Sequence, residues 1–183
     1  MKLSQSIALS ALAAAWLAAA PAQAAQQNRM VTVPAAHLCT LSIPTTNTGV
    51  RPKATGFRNE GTGNAFVICA FDSAPGLYQF EHIESVADPS EIAIYFASID
   101  GKSHEFDCTG VNSWPMPSAL PMQYVVKHVS ATPSNLGLID FVAEDFGGEL
   151  RIPTSGALSV TCSLPAGVSI LVGELWSKED VGS

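Results

Sequence analysis

Positive charge is scarce in this chain: nine Lys and Arg stand against 16 Asp and Glu among 183 residues, for a formal net charge of -7. A surface this acidic offers no counterpart to a phosphate backbone, which excludes nucleic acid as a partner class. Charge of either sign is low, at 14% of residues, and 14 Gly and 12 Pro are spread along the chain. That composition excludes a coiled coil and an acidic disordered tail. After residue 24 no apolar run is long enough to span a bilayer, so no transmembrane segment is expected in the mature chain.

Catalytic signatures are missing as well. There is no nucleophile elbow, HExxH pair, EF-hand loop, P-loop or glycine-rich dinucleotide fingerprint. Gly101-Lys102 lacks the upstream P-loop spacing, and Gly61-Thr62-Gly63 lacks a third Gly and a following helix. The expectation is therefore a protein that is not an enzyme and carries no cofactor and no metal.

What is present begins with an export signal. Lys2 gives residues 1–24 a positive start, and Ile7 to Ala20 is apolar apart from Ser10. Pro21 then breaks the run, and Ala22-Gln23-Ala24 places small residues at the -3 and -1 positions of a cleavage site. These three parts in this order are the pattern of a secretory signal peptide. The Ala-rich style is bacterial, which implies a periplasmic or secreted protein. Cleavage after Ala24 leaves 159 of the 183 residues.

All four Cys follow that site: Cys39, Cys69, Cys108 and Cys162, with spacings of 30, 39 and 54 residues. Such spacings exclude CxxC redox chemistry and compact zinc knuckles, while an even count in an exported chain points to disulfides. Each Cys also alternates in phase with apolar neighbours. In LSVTCSL (158–164), Leu158, Val160, Cys162 and Leu164 share one strand face. Cys39 is in phase with Leu41, Cys69 with Val67 and Phe71, and Cys108 with Phe106. Three pairings are open. Strands adjacent in sequence are usually adjacent in space, which favours Cys39–Cys69 and Cys108–Cys162.

Residues 25–36 are polar and read as a flexible leader, and 177–183 as a C-terminal tail. Between them, 37–176 alternates short apolar runs with turn-rich gaps. Strands are expected over 37–43, 54–58, 65–71, 77–86, 91–99, 102–109, 122–130, 137–143, 149–152, 157–164 and 168–176. No sustained 3.6-residue stripe marks a helix. Asp100-Gly101 between two alternating runs predicts a hairpin that pairs Tyr95 with Phe106 and Ala93 with Cys108. NEGTGN (59–64) predicts a second hairpin, leading GFRN into AFVICAF. Many short antiparallel strands without helices define the fold class as all-β: a two-sheet antiparallel β-sandwich, jelly-roll-like or immunoglobulin-like, stapled by disulfides.

Two segments stand out as candidate sites. Trp114-Pro115-Met116-Pro117 lies in a Pro-rich loop, where a rigid Trp114 with Met116 suits stacking on a sugar or a partner. Glu144, Asp145 and Glu149 cluster in AEDFGGE, a loop whose acids and Gly suit calcium, although the EF-hand order is absent. The four His (His37, His82, His104 and His128) sit on separate predicted strands, and their spacing does not require convergence. Glu81 and Glu84 fall on opposite strand faces and so make no acid/base pair.

With an early Cys39, GFRNEGTGNAFVICAF (56–71) and VTCSLPAGVSI (160–170), the mature region resembles uncharacterised secreted or periplasmic β-sandwich proteins of proteobacteria. The resemblance spans most of 37–172 and implies export and a disulfide-stapled sandwich; it brings no catalytic residues. The chain also resembles pilus-like subunits of the spore-coat-U type in its early Cys pair on strands. It departs from them in lacking Gly-x-Tyr after the first Cys and in ending on the charged SKEDVGS. The function expected is non-catalytic binding, through loops, of a glycan, an envelope component or a protein partner. The alternatives are a structural subunit of a surface fibre and a hydrolase with a dispersed site.

Overall fold

The structure is a computed structural model, and it describes residues 25–42, 49–71, 88–113, 122–147 and 157–181. The signal segment 1–24 and the strands expected over 77–86 and 149–152 lie outside the described residues.

Among the described residues, eleven strands build two antiparallel sheets. The first sheet runs β3 (Val50–Lys53), β4 (Gly56–Asn59), β11 (Val168–Val181), β6 (Asp88–Ser98) and β9 (Gly137–Val142), with β1 (Ala25–Pro34) also paired to β11. The second runs β2 (Cys39–Leu41), β5 (Ala65–Phe71), β10 (Ala157–Leu164), β7 (His104–Ser113) and β8 (Gln123–Ala131). The only helical pieces among the described residues are α1 (Ala35–Leu38) and a 3-10 turn at Ala143–Phe146. The fold is a β-sandwich, and the orders β4-β11-β6-β9 and β5-β10-β7-β8 are those of a jelly roll.

Alternation makes the strands and selects their inner faces. Along β10, Leu158, Val160, Cys162 and Leu164 are buried while Ser159, Thr161 and Ser163 look outward. Along β5, Ala65, Val67, Cys69 and Phe71 are buried in the same way. Ile92, Ile94 and Phe96 of β6 and Ile170 of β11 face them from the first sheet. Phe96 meets Phe106 edge-on at 5.1 Å between ring centroids, which ties the layers at the centre.

The disulfides are Cys39–Cys69 and Cys108–Cys162. In both, the partners are directly opposed on neighbouring strands of the second sheet: β2 with β5, and β7 with β10. All four sulfurs point into the core.

Three expectations from the sequence are corrected. The Asp100-Gly101 turn joins no hairpin: β6 pairs with β11 and β9, whereas β7 pairs with β10 and β8, so this turn crosses between the sheets. Likewise 59–64 carries the chain from β4 in the first sheet to β5 in the second. The reason is topological, since a jelly roll sends nearly every connection from one layer to the other. The third correction concerns the ends. Residues 25–34, read as leader, form β1, and the tail read over 177–183 is strand as far as Val181. Gln27 to Met30 are exposed, so backbone pairing with β11 from Ala25↔Val181 to Pro34↔Val172 holds this strand more than apolar burial does.

Candidate functional site

Trp114, Met116 and Glu149 lie outside the described residues. Glu144 stands exposed on the 3-10 turn. The carboxylate of Asp145 is already engaged: Oδ2 accepts the Val142 N–H at 2.9 Å and pairs with Lys127 Nζ at 2.6 Å. Asp145 thus closes the start of its own turn. Among the described residues no three His, Cys, Asp or Glu side chains gather as a metal cage. The described His are likewise apart. His37 is on α1, His104 pairs with Asp100 at 2.8 Å, and His128 pairs with Asp107 at 2.9 Å.

The outer face of the second sheet presents a different surface. Strand register aligns its outward residues in rows. One row runs Tyr124, Val111, Ser159 and Ala70 across β8, β7, β10 and β5. The next runs Val126, Thr109, Thr161, Ile68 and Thr40. Phe66 and Ser163 lie opposite each other one row further on. Tyr124, Val126 and Phe66 are 62%, 64% and 54% exposed, so large apolar groups are left in water beside hydroxyls. The hydroxyl of Tyr124 is steadied by a hydrogen bond to Met122 Sδ at 3.0 Å. At one corner of this face, His128 lies between Asp107 and the more distant Glu105 (3.8 Å).

These residues were missed in the sequence, although a signal was there. In QYVVKHVSA and AFVICAF both alternating sets contain apolar residues, and one set of each has to face outward.

A second feature lies at one end of the sandwich, where the loop after β4, the turn after β6 and the β10–β11 turn converge. An open cleft of about 470 Å³ is lined there by Arg58, Asn59, Glu60, Asp100, Lys102 and Gly167, among others. Its floor is fixed by Asn59, which is fully buried. Asn59 Nδ2 donates to the carbonyls of Gly63 (2.8 Å) and Leu164 (2.9 Å), and its Oδ1 accepts the Gly61 N–H (3.0 Å). Gly167 N–H donates to the Asn59 carbonyl and Ile99 N–H to that of Gly167.

Charge at this end is clustered. Glu60 meets Lys53 at 2.6 Å, Arg51 at 3.1 Å and Arg58 at 3.8 Å. Hydrogen bonds from Lys53 and Arg51 hold its carboxyl below the usual range. Asp100 is lowered to about 2, first by its hydrogen bond with His104 and then by the Lys102 backbone N–H. On the far side of the molecule, Glu91, Glu174 and Asp140 occupy the outer face of the first sheet. Burial, and then the charges of Asp140 and Glu174, raise the Glu91 carboxyl. The Tyr95 hydroxyl donates to Glu174 Oε2 at 3.3 Å.

No family model matches the chain, and no curated protein matches it. Among solved structures it is similar to a GH26-CBM35 β-(1,4)-mannanase of Podospora anserina, at 13% identity and a TM-score of 0.35. That match covers 80% of this chain and 27% of the mannanase, so the chain spans about a quarter of that protein's length. It is also similar to TmCBM61, solved in complex with β-1,4-galactotriose, at 7% identity and a TM-score of 0.36, over 81% of this chain and 86% of that one. Neither likeness, at these scores, carries the reading of the site, which rests on this chain's own residues.

Proposed function

We propose that the protein is an exported, non-catalytic β-sandwich that binds a glycan across the outer face of its second sheet. The observation that supports this reading is the exposure of Tyr124, Val126 and Phe66 on a face where Thr and Ser hydroxyls fill many of the intervening positions. A pyranose ring has a flat C–H face that stacks on aromatic and apolar side chains, and a hydroxyl rim that hydrogen-bonds to Ser and Thr. Tyr124 and Phe66 are three strands apart and offset along them, which separates them by about 20 Å at ordinary strand spacings. A face of that span suits a chain of sugars better than a single one. In this reading the binding surface lies on the sheet; the loop of Trp114 and Met116 lies outside the described residues. Export accords with the signal-like segment 1–24 and with two disulfides, which persist in oxidising compartments.

The test is titration calorimetry of residues 25–183 against a panel of neutral oligosaccharides, with the Tyr124→Ala and Phe66→Ala variants alongside. Each substitution is expected to weaken binding about tenfold, or roughly 1.4 kcal/mol. Unchanged affinity in the double variant would remove the face from consideration.

The second reading, a fibre subunit, draws on β1. Among the described residues this edge strand pairs with β11 alone, the kind of strand that copies of a chain exchange. A purified chain that stays monomeric as its concentration rises would argue against it.

A further inference from the structure

We infer that the cleft at the end of the sandwich is a separate binding site, and that it takes an oxyanion: the carboxylate of an acidic sugar or a phosphate group. This inference stands apart from the sheet-face reading, because it uses none of the same residues. The chain as a whole is acidic, at -7, yet four of its nine Lys and Arg gather at this one end. Arg51, Lys53 and Arg58 converge on the single carboxylate of Glu60, and Lys102 joins Arg58 in the wall of the cleft. The other acid there, Asp100, is engaged by His104, Ser98 and the Lys102 backbone. In the cleft wall Arg58 and Lys102 stand beside Glu60 and Asp100, Arg51 and Lys53 reach Glu60 from β3, and both carboxylates are already held.

The pairing of these cations is also uneven. Glu60 is closest to Lys53 and Arg51, leaving Arg58 at 3.8 Å. Arg58 Nε is buried without a hydrogen-bond partner among the described residues. A guanidinium in that state carries a desolvation cost that a bound anion offsets. Lys102 Nζ makes no ion pair among the described residues, and its side chain is exposed at the rim. The scaffold beneath is cross-tied: Asn59 joins its own loop to the β10–β11 turn, and Gly167 of that turn accepts the Ile99 N–H. Preorganised donors on a fixed floor lower the ordering cost of binding. An end with excess positive charge on a negative protein also focuses anions toward it.

The test uses NMR of residues 25–183, titrated separately with sodium glucuronate, inorganic phosphate and glucose. The expected result is a saturable shift of the backbone amides of Gly61, Lys102 and Gly167 with at least one of the two anions and none with glucose. A preference for glucuronate assigns the cleft to an acidic sugar, and a preference for phosphate to a phosphorylated ligand. Arg58→Gln is expected to weaken binding about tenfold, as loss of a charged hydrogen-bond donor does. Lys102→Gln, at an exposed position, keeps the test valid should the Arg58 variant unfold, and is expected to weaken it about threefold. Tyr124→Ala leaves these shifts in place while it weakens binding on the sheet face. Absence of saturation with both anions, or shifts unaltered in Lys102→Gln and in a folded Arg58→Gln, would overturn the inference.

Discussion

The side-chain amide of Asn59 donates to the carbonyl of Leu164 across 105 residues of sequence, at 2.9 Å. Asn59 ends β4 in the first sheet and Leu164 ends β10 in the second, so this one bond ties the two layers at the cleft. Replacing Asn59 by Ala leaves the buried Leu164 carbonyl without this partner, together with the part-buried Gly63 carbonyl and Gly61 N–H. The expected cost is about 3 kcal/mol, measured as the fall in unfolding free energy in urea.

Asp100 makes the stability of the same end depend on pH. Its carboxyl sits at about 2 when folded, against an ordinary value of 3.8. A lowered carboxyl stabilises the fold above its unfolded value, and that contribution is lost as pH falls toward the folded one. Asp100→Asn is therefore expected to lower the unfolding midpoint at pH 7. The gap to the parent protein is expected to close as pH drops through the interval between 3.8 and about 2. Thermal melts across that interval check it.

The two disulfides close loops of different length, with partners 30 and 54 residues apart. Loop entropy gives upper figures of about 3.6 kcal/mol for Cys39–Cys69 and about 4.2 kcal/mol for Cys108–Cys162. Paired Cys→Ala variants are expected to lose stability in that order, with the second pair the more damaging. Guanidinium unfolding of the two double variants decides it.

Gly110 on β7 packs directly against the ring of Phe141 on β9 in the other sheet. A Cβ built there stands 2.6 Å from Phe141 Cδ1. Gly110→Ala is expected to cost about 1–3 kcal/mol by overpacking, with the unfolding midpoint as readout. Trimming the ring with Phe141→Leu in the same chain should recover part of that loss.

The residue pattern revealed the strands far better than their partners. The runs 65–71 and 157–164 match β5 and β10 residue for residue, because one face of each is buried and period two is unmistakable. The expected strand 54–58 straddles a turn instead. Val50–Lys53 pairs with Gly56–Asn59 around Ala54-Thr55, and Gly56, at φ 131°, falls just after the bend. β1 and the end of β11 escaped because edge strands need no apolar stripe when the backbone supplies the pairing. The hairpins failed at a different level: Asp100-Gly101 is a good turn pair, but local chemistry does not say which sheet comes next. Of the candidate sites, the sheet face was written in QYVVKHVSA and AFVICAF as apolar residues in both phases. The cation cluster was not legible, since Lys102 is 42 residues from Glu60 and only the fold brings both to one cleft.

Both sulfur bridges rivet neighbouring strands of one layer, while β1 and β11 belong to the other. Because those two strands run antiparallel, Ala25 and Val181 sit side by side. Tension applied at that pair unzips β1 from β11 rung by rung and meets no covalent stop until the peel has passed Pro34. The molecule therefore yields mechanically at its edge first and keeps its riveted plate intact.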